Sequence, residues 1–386
     1  MKFEEMGFDE RLLKAIKELR FEKPTEIQEK SIPFVMQGKD VIAQSMTGSG
    51  KTLAFGGPIL HKLAHGKGVQ ALIITPTREL ADQVADHMKK FAKYIKAEVC
   101  EVFGGVSIEP QIARLRHADI VVGTPGRILD HLSRRTIDLR NVKTLVLDEA
   151  DRMLDMGFID DIRRILSVVP KNRQTLLFSA TMPREIEFLA RRFMNSPVNI
   201  RTQAFVSRHK MKQYYYDVKE NDKLSLLVHL IKKENPHLAI VFCNTKRNTD
   251  FVSRTLEQND IEAKPIHGDL SQAARMHVLE GFHRGRPHVL VATDVAARGL
   301  DIKDVSHIFN YDLPSDAENY THRIGRTARI GKEGKVISLL SSEGHEAFRR
   351  IIRVHDIEKA FEMNFPRVKI PSRRYERPRM RRYRNY

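Results

Sequence analysis

The stretch that decides the fold reads Val41-Ile42-Ala43-Gln44-Ser45-Met46-Thr47-Gly48-Ser49-Gly50-Lys51-Thr52. It starts as an apolar strand, passes through a glycine-rich turn and enters a helix-compatible run, which is the context that a phosphate-binding loop requires. Glycines let backbone N–H groups turn toward phosphate oxygens, and the following helix N-terminus adds its positive end. Lys51 is therefore predicted to neutralise phosphates, and the Thr52 hydroxyl to ligate Mg²⁺. An ordinary loop is the alternative, which this context disfavours.

Two acids end another apolar segment, Thr144-Leu145-Val146-Leu147-Asp148-Glu149. Ligand sites of open parallel sheets lie at the carboxyl ends of the strands, so these acids are expected near the phosphate loop. Asp148 suits the Mg²⁺ shell, and Glu149 suits orienting and deprotonating an attacking water. The alternative is that the two acids only cap a helix. The presence of a phosphate loop in the same sequence makes this alternative weak.

The sequence contains an internal duplication. The segment Ala71 to Arg78 is matched 168 residues later by Ala239 to Lys246, and each is an apolar run followed by Thr and a cation. Ile120 to Thr124 is matched 169 residues later by Val289 to Thr293. Short β-branched runs alternate with amphipathic stretches, so the fold class is predicted to be α/β, with two similar domains that are parallel sheets flanked by helices.

The expected boundaries are 1–204 for the first domain, 205–210 for a linker and 211–365 for the second domain, because polar and basic residues interrupt the apolar pattern between the halves. The second half has no glycine-rich phosphate loop of its own. A single nucleotide site shared by the two domains is therefore the simplest interpretation.

The formal net charge of +17 favours a polyanionic partner, with nucleic acid first and a membrane surface second. Residues 366–386 form a basic tail that is predicted to be disordered. Such a tail could serve only to increase solubility. We favour the second hypothesis, a nucleic-acid tether in which Tyr375, Tyr383 and Tyr386 are available for stacking.

The chain shows neither a signal peptide nor an apolar run long enough to cross a bilayer, so a cytoplasmic protein without membrane contact is expected. Cys100 and Cys243 have no paired spacing and are expected to be core thiols. His61 and His65 lie four apart but have no third ligand nearby, so two solvated histidines are expected rather than a metal site.

Two further candidates depend on spacing. The amide of Gln28 could read an adenine by accepting from N6 and donating to N7, although a surface glutamine is equally compatible with the chemistry. His322, Arg326 and Arg329 would share one face if their segment is helical, and arginines from the second domain could stabilise charge on a γ-phosphate. A solvated basic helix face is the alternative.

Taken together, the motifs show that the chain resembles the DEAD-box RNA helicases over nearly its whole length. The family name is spelled by Asp148-Glu149-Ala150-Asp151. The other motifs, in family order, are Pro76-Thr77-Arg78-Glu79-Leu80, Gly104-Gly105, Thr124-Pro125-Gly126-Arg127, Ser179-Ala180-Thr181, the run from Ala292 to Asp301, and the run from His322 to Arg329.

The resemblance implies two tandem RecA-like domains that bind ATP with Mg²⁺. It implies that Phe3 and Phe21 to Gln28 recognise adenine, that Ser179, Thr181 and His322 couple hydrolysis to domain closure, and that Gly299 and Asp301 touch the nucleotide. Other implied nucleotide contacts are Thr47, Gly48, Ser49, Gly50, Lys51 and Thr52. The implied RNA contacts are Thr77, Arg78, Gly105, Thr124, Arg127, Thr245, Lys246, Arg275, Thr293 and Asp294.

Three positions depart from the family pattern: Ser45 replaces Gly or Ala, and Arg20 and Ala328 each replace Gly. None of these changes removes a catalytic group. The resemblance implies an RNA-dependent ATPase that unwinds RNA locally by closing over ATP and RNA, with Lys51, Asp148, Glu149, Arg326 and Arg329 in catalysis. An ATP-dependent RNA clamp and a DNA helicase are the alternatives, and the natural RNA, protein partners and oligomeric state stay open.

Overall fold

The computed structural model describes residues 2–45, 48–202, 211–297, 305–327, 334–362 and 364–369, except for the side chain of Gln272. These residues form two compact units, called domain 1 (up to residue 202) and domain 2 (from residue 211) below. The predicted linker, 205–210, and the tail from residue 370 onward lie outside the described residues. The exact domain boundaries and the role of the tail therefore stay predictions.

Domain 1 is built on a seven-stranded parallel sheet with the strand order β3-β4-β2-β5-β6-β1-β7. Most strand residues are buried on both faces, which explains why these segments are continuous apolar runs instead of alternating ones. The strands are β1 (Val41–Gln44), β2 (Ala71–Ile74), β3 (Val99–Val102), β4 (Ile120–Gly123), β5 (Thr144–Asp148), β6 (Gln174–Ser179) and β7 (Val198–Arg201).

Helices cover both faces of this sheet, and each face has its own apolar core. A short 3₁₀ helix, Phe3–Met6, comes first. The α-helices are α1 (Glu10–Glu18), α2 (Glu26–Met36), α3 (Lys51–Lys62), α4 (Arg78–Phe91), α5 (Glu109–Leu115), α6 (Pro125–Ser133), α7 (Ala150–Asp155), α8 (Ile159–Val168) and α9 (Arg184–Phe193).

Domain 2 is a second seven-stranded parallel sheet, with the strand order β10-β11-β9-β12-β13-β8-β14. Its strands are β8 (Met211–Asp217), β9 (Ala239–Cys243), β10 (Ala263–Ile266), β11 (Val289–Thr293), β12 (His307–Asn310), β13 (Gly334–Leu340) and β14 (Glu358–Ala360). Its α-helices are α10 (Lys223–Glu234), α11 (Lys246–Gln258), α12 (Gln272–His283), α13 (Asp294–Ala297), α14 (Ala317–Ile324) and α15 (His345–Ile351).

The two sheets have the same strand order, position by position, when β1 to β7 are matched with β8 to β14. The repeated segments found in the sequence become β2 with β9 and β4 with β11, which occupy equivalent places. The prediction of two similar α/β domains is therefore confirmed. The duplication also identifies residues of domain 2 that stand in the places of Arg78, Thr77 and Thr124 of domain 1.

The minor expectations about cysteine and histidine agree with the structure. Cys100 and Cys243 are buried, and burial raises the pKa of the Cys100 thiol to about 11. His61 and His65 are exposed, and each hydrogen-bonds a neighbouring loop, through the Asp9 N–H and the Asp119 carboxylate respectively. Among the described residues, no helix is both long and apolar enough to span a bilayer.

Candidate nucleotide site and nucleic-acid interface

The phosphate loop lies between β1 and α3, at the carboxyl edge of the domain 1 sheet. Gly48 and Gly50 have φ values of 81° and 92°, a left-handed conformation that favours glycine. Lys51 begins α3 and is buried, with its Nζ 3.5 Å from the Ser45 carbonyl oxygen. Ser45, the departure from the family pattern, hydrogen-bonds Ser49 through the two hydroxyls at 3.1 Å. Thr47 lies outside the described residues.

Gln28 ties the start of α2 to this loop. Its Nε2 donates to the Gly50 carbonyl at 2.9 Å, and its Oε1 accepts from the Thr25 N–H at 2.9 Å. A side-chain amide has two hydrogens and two lone pairs on oxygen, so one donor and one acceptor position are left for a ligand. Gly50 has no room for a side chain here, because a Cβ would lie 2.5 Å from Nε2 of Gln28.

The two aromatic residues of the predicted adenine motif have different environments. Phe3 is 4% exposed and belongs to the core, whereas Phe21 is 41% exposed. Only the ring of Phe21 is therefore open to a ligand in this conformation. Arg20 has a φ of 58°, a left-handed conformation that explains why glycine is common at this position. An arginine in this conformation has a backbone strain of about 1–2 kcal/mol.

The acidic pair lies where β5 ends. Asp148 is buried, and its Oδ1 accepts no hydrogen bond from the part of the chain that the structure describes but lies 3.9 Å from Nζ of Lys51. Burial raises the pKa of Asp148 to about 6, while Lys51 lowers it. The site thus contains a buried carboxylate oxygen and an ammonium group that approach each other without forming a close pair.

Glu149 has a left-handed backbone, with φ 53° and ψ 53°, at the turn from β5 into α7. Its carboxylate accepts a hydrogen bond from Nη1 of Arg152, and both side chains are almost fully buried. Nε and Nη2 of Arg152 are buried and have no hydrogen-bond partner among the residues that the structure describes. Sequence reasoning missed Arg152, although its i+3 spacing from Glu149 on a helix was a usable signal.

Asp151 joins the acidic motif to the Ser179-Ala180-Thr181 motif. Its Oδ2 accepts from the N–H groups of Ala180 at 3.0 Å and Thr181 at 2.8 Å, and from the Thr181 hydroxyl at 3.1 Å. The Ser179 hydroxyl accepts from the Asp151 N–H at 3.1 Å. The sequence analysis assigned no role to Asp151. It joins β5 to β6 at the carboxyl edge of the sheet.

Three predicted RNA contacts of domain 1 meet at the loop from Phe103 to Ser107, called the glycine loop below. Gly105 belongs to this loop, and Arg78 and Arg127 contact it. Arg78, the first residue of α4, packs so closely on Gly105 that a Cβ there would lie 1.7 Å from its Nη1. Gly105 has a φ of 77°. Arg127 on α6 donates to the Val106 carbonyl at 3.1 Å. Two guanidinium groups therefore converge on one glycine-rich turn.

A threonine precedes each of the two helices, α4 and α6, that carry these arginines. Thr77 precedes α4, and its hydroxyl accepts from the Leu80 N–H at 3.3 Å. Thr124 precedes α6 directly after β4. Both helix N-termini lie at the carboxyl edge of the sheet, where their exposed N–H groups and dipoles attract anions.

Domain 2 repeats this arrangement. Thr245 precedes α11 and follows β9, and its hydroxyl accepts from the Asn248 N–H at 3.1 Å. Lys246 occupies the place of Arg78 and lies 3.6 Å from the Cβ position of Gly268, which follows β10 as Gly105 follows β3. Gly268 was missed by sequence reasoning, because it lies 163 residues after Gly105, whereas the duplication offset of 168 residues leads to Ala273. Thr293 ends β11, and Arg275 lies on α12.

Asp294 forms a bidentate pair with Arg323, at 2.6 Å from Nε and 2.7 Å from Nη2. Arg323 is 2% exposed and also donates to the side chains of Asn310 at 3.1 Å and Asn244 at 3.2 Å. This buried arginine therefore fixes the ends of β9, β11 and β12 together. An ionised carboxylate only accepts hydrogen bonds, so Asp294 suits a ribose hydroxyl and not a phosphate.

His322, Arg326 and Arg329 would share one helix face only if their segment were helical, and the structure does not meet this condition at Arg326. The helix α14 includes His322 but ends at Ile324, because Gly325 takes the cap position, and Arg326 follows in a turn. Arg326 is buried in domain 2. Arg329, Gly299, Asp301 and Ala328 lie outside the described residues.

Domain 2 also contains an equivalent of the Lys51 and Asp148 pair. Lys223 begins α10 after β8, as Lys51 begins α3 after β1. Its Nζ lies 3.0 Å from Oδ1 of Asp312, which follows β12, the counterpart of β5. Residues 218–222, which precede Lys223, contain no glycine. The charge pair is thus retained without a phosphate loop.

Comparison with known proteins agrees with this geometry. Residues 25–189 match the family model "DEAD/DEAH box helicase", and residues 222–331 match "Helicase conserved C-terminal domain". The chain is 53% identical over 342 residues to ATP-dependent RNA helicase CshA of Listeria monocytogenes. That match includes 88% of this chain but 66% of the relative, so the chain spans about two thirds of the Listeria protein's length.

Two further similarities include more of both chains. DEAD-box ATP-dependent RNA helicase CshA of Geobacillus kaustophilus is 48% identical, over 96% of this chain and 79% of the relative. The solved structure of S. cerevisiae Dbp5 bound to RNA and ADP BeF3 has 33% identity and a TM-score of 0.85, over 93% of this chain and 95% of that chain. The chain belongs to the DEAD-box ATP-dependent RNA helicase family.

Proposed function

We propose that the chain is an RNA-dependent ATPase that closes its two domains over ATP and single-stranded RNA, and thereby unwinds or remodels RNA locally. One observation carries the proposal. The carboxyl edge of the domain 1 sheet presents a buried lysine and two buried acids, and the same edge bears helix N-termini with two arginines at a glycine loop. The proposed site of action is the cytoplasm.

In the ATP site, Lys51 binds the β and γ phosphates, and the N–H groups of the loop surround them. Glu149 orients the attacking water and accepts its proton. Arg152 holds the Glu149 carboxylate in a buried position before the substrate arrives. This hydrogen bond fixes the orientation of the carboxylate relative to the attacking water.

The residues present fit Mg²⁺. Oδ1 of Asp148 is buried and accepts no hydrogen bond from the described residues, and an unsatisfied hard oxygen is the ligand that Mg²⁺ prefers. Thr52, the second residue of α3, would supply its hydroxyl. The bound ion would neutralise phosphate charge there.

Coupling of hydrolysis to closure is assigned to Asp151 with Ser179 and Thr181, and to His322 of domain 2. The hydrogen bonds of Asp151 make the Ser-Ala-Thr strand end move with the acidic motif. ATP and RNA each bind the closed state better than the open state if each contacts both domains. Arg326, Arg329, Gly299 and Asp301 are proposed to complete the ATP site from domain 2.

RNA is proposed to lie along the two equivalent sheet edges, held by its backbone. Thr77, Arg78, Gly105, Thr124 and Arg127 contribute from domain 1. The residues proposed from domain 2 are Thr245, Lys246, Arg275, Thr293 and Asp294. Contacts of this kind position a strand but do not read its sequence, so binding is expected to be independent of sequence and sensitive to salt.

Gly105→Ala should weaken the binding of single-stranded RNA about tenfold, because the new Cβ would displace the Arg78 guanidinium from the glycine loop. Fluorescence anisotropy with labelled RNA and a non-hydrolysable ATP analogue measures this. Gly38→Ala is the matched control: Gly38 has a similar φ of 80° but nothing within 4 Å of its Cβ position. Equal RNA affinities for the two variants would contradict the role of Gly105.

The function as a whole is tested with the purified wild type. ATP hydrolysis is measured without nucleic acid, with single-stranded RNA and with DNA of the same sequence, and displacement of a short RNA strand is measured in parallel. Stimulation by RNA alone, with strand displacement, is the expected result. Equal stimulation by DNA would favour a DNA helicase, and RNA-stimulated hydrolysis without displacement would favour a clamp.

A further inference from the structure

Side chains hold the glycine loop from behind. The Phe103 carbonyl accepts from Nε2 of Gln111 at 3.1 Å, and the Ser107 carbonyl accepts from the same nitrogen at 3.2 Å. With the bond from Arg127 to the Val106 carbonyl, three of the five loop carbonyls accept from side chains. Gln111, on α5, is 2% exposed. The NH₂ group of its side chain therefore donates to both ends of the loop.

His131 fixes the orientation of that amide. Its Nε2 lies 3.4 Å from Oε1 of Gln111, and its Nδ1 lies 2.7 Å from the hydroxyl of Thr136. The Gln111 oxygen can only accept, so Nε2 carries the proton of the neutral ring. Nδ1 then accepts from the Thr136 hydroxyl, which also lies 3.2 Å from the His131 carbonyl oxygen and shares its one hydrogen between these two acceptors. Burial first, and then Arg127, lowers the pKa of His131, which is consistent with a neutral ring. Hydrogen-bond donation thus runs in one direction from Thr136 to the loop.

The opposite side of the loop is left for a ligand. None of the N–H groups from Gly104 to Ser107 donates to an acceptor in the described part of the chain, and residues 105–107 are exposed. Carbonyl oxygens would repel a phosphate, whereas a turn with its N–H groups outward attracts one. By holding the carbonyls inward, Gln111 orients the N–H groups toward the solvent.

We propose that Gln111 and His131 are positioning residues, which keep the glycine loop in the conformation that grips the RNA backbone. The inference rests on the proposed function, in which Gly105, Arg78 and Arg127 contact RNA phosphates. Neither positioning residue touches RNA or ATP. Their effect is on the conformation of the loop before RNA binds, and a preorganised loop loses less entropy on binding.

The test separates RNA affinity from chemistry. Gln111→Met keeps the volume of the side chain but removes its amide. We expect the RNA concentration that gives half-maximal ATPase activity to rise about tenfold, because the loss of buried hydrogen bonds of this kind is worth about this much in binding. The value of kcat at saturating RNA and the affinity for ADP should stay within about twofold of wild type.

Rescue by a conservative change tests His131. The amide nitrogen of a glutamine can replace Nε2 of histidine as the donor to Gln111, whereas leucine cannot donate. His131→Leu should therefore raise the half-saturating RNA concentration as Gln111→Met does, and His131→Gln should recover most of the wild-type value. An effect of equal size in both His131 variants would refute the assigned hydrogen-bond chain.

Gln174→Met is the matched control for burial and stability. Gln174 is also a buried glutamine whose Nε2 donates to two backbone carbonyls, Val35 near the end of α2 at 3.0 Å and Lys39 in the following turn at 2.7 Å, but it begins β6 at the amino edge of the sheet. We expect this variant to lower the melting temperature without changing the RNA requirement. An equal rise in the RNA requirement for both Met variants would mean that general destabilisation, and not loop geometry, is responsible.

Arg78→Ala distinguishes failure of the inference from failure of the proposed function. If Arg78→Ala raises the half-saturating RNA concentration while Gln111→Met leaves it within about twofold of wild type, the positioning role is wrong and the RNA contact stands. If Arg78→Ala has no effect while Gln111→Met raises this concentration, the positioning role stands and the Arg78 contact is wrong. If neither changes it, both are wrong.

Discussion

Glu149→Gln should lower the kcat of RNA-stimulated ATP hydrolysis by about 10²–10⁴-fold, which is the range expected for the loss of a general base. Glutamine has the shape of glutamate but cannot accept the proton of the attacking water. The backbone demands are unchanged, because glutamine is as unfavourable as glutamate in the left-handed conformation of this residue. The amide oxygen can still accept from Arg152. ATP affinity should therefore persist, as measured by titration with a fluorescent ATP analogue.

Glu234→Gln is a suitable control for Glu149→Gln. Glu234, at the end of α10, is also a paired carboxylate, with Nζ of Lys335 at 2.6 Å and Nε2 of His307 at 3.4 Å. It precedes β9, so it lies at the amino edge of the domain 2 sheet. This control should keep wild-type hydrolysis. Near-normal turnover in Glu149→Gln would show that another group takes the proton.

Lys51→Met should weaken ATP binding by at least about 100-fold and remove hydrolysis at cellular ATP concentrations. A charge-assisted hydrogen bond to a buried anion is worth about 1.5–3 kcal/mol, and Lys51 contributes to binding two phosphates. The substitution also removes the cation beside the buried Asp148. Because Lys51 lowers the pKa of Asp148, its loss should raise that pKa further and disfavour the ionised form that Mg²⁺ needs.

Lys223→Met is the internal control for Lys51→Met, because the duplication places Lys223 at the equivalent position of domain 2. This substitution should destabilise the protein by about 3 kcal/mol, since it leaves the partly buried Asp312 carboxylate without its cation, but ATP affinity should persist. Isothermal titration measures the affinity, and thermal unfolding measures the stability. Equal loss of ATP affinity in both variants would show that the Lys51 effect is not local.

The strands and the main nucleotide groups could be predicted from sequence because each depends on local pattern. The buried strands ending at Asp148 and near Ile74 are apolar runs, and the phosphate loop combines glycines with Lys51 within a few residues. Fully buried parallel strands require such apolar runs, so the runs in the sequence mark where the strands lie. The duplicated sheet could be predicted for the same reason.

Contacts between distant segments could not be predicted in this way. Gln28 and Gly50 are 22 residues apart, and Asp151 and Thr181 are 30 apart, so no local periodicity connects them. Whether one helix contains both His322 and Arg326 was left open by the sequence, and the helix ends at Ile324 with Gly325 in the cap position. A glycine within a basic run was compatible with either helix or turn, and tertiary packing decided between them.

The two lysine and aspartate pairs show how one duplicated fold acquired unequal halves. In domain 2 the opposite charges meet at 3.0 Å, so each satisfies the other and neither requires a ligand. In domain 1 the corresponding charges stay 3.9 Å apart, and one carboxylate oxygen accepts no hydrogen bond from the described residues. The two charges of domain 1 therefore satisfy each other less well than those of domain 2, and we expect bound phosphates and a cation to satisfy them. In domain 2 the charges of Lys223 and Asp312 already satisfy each other, which agrees with the lack of a glycine-rich loop before Lys223.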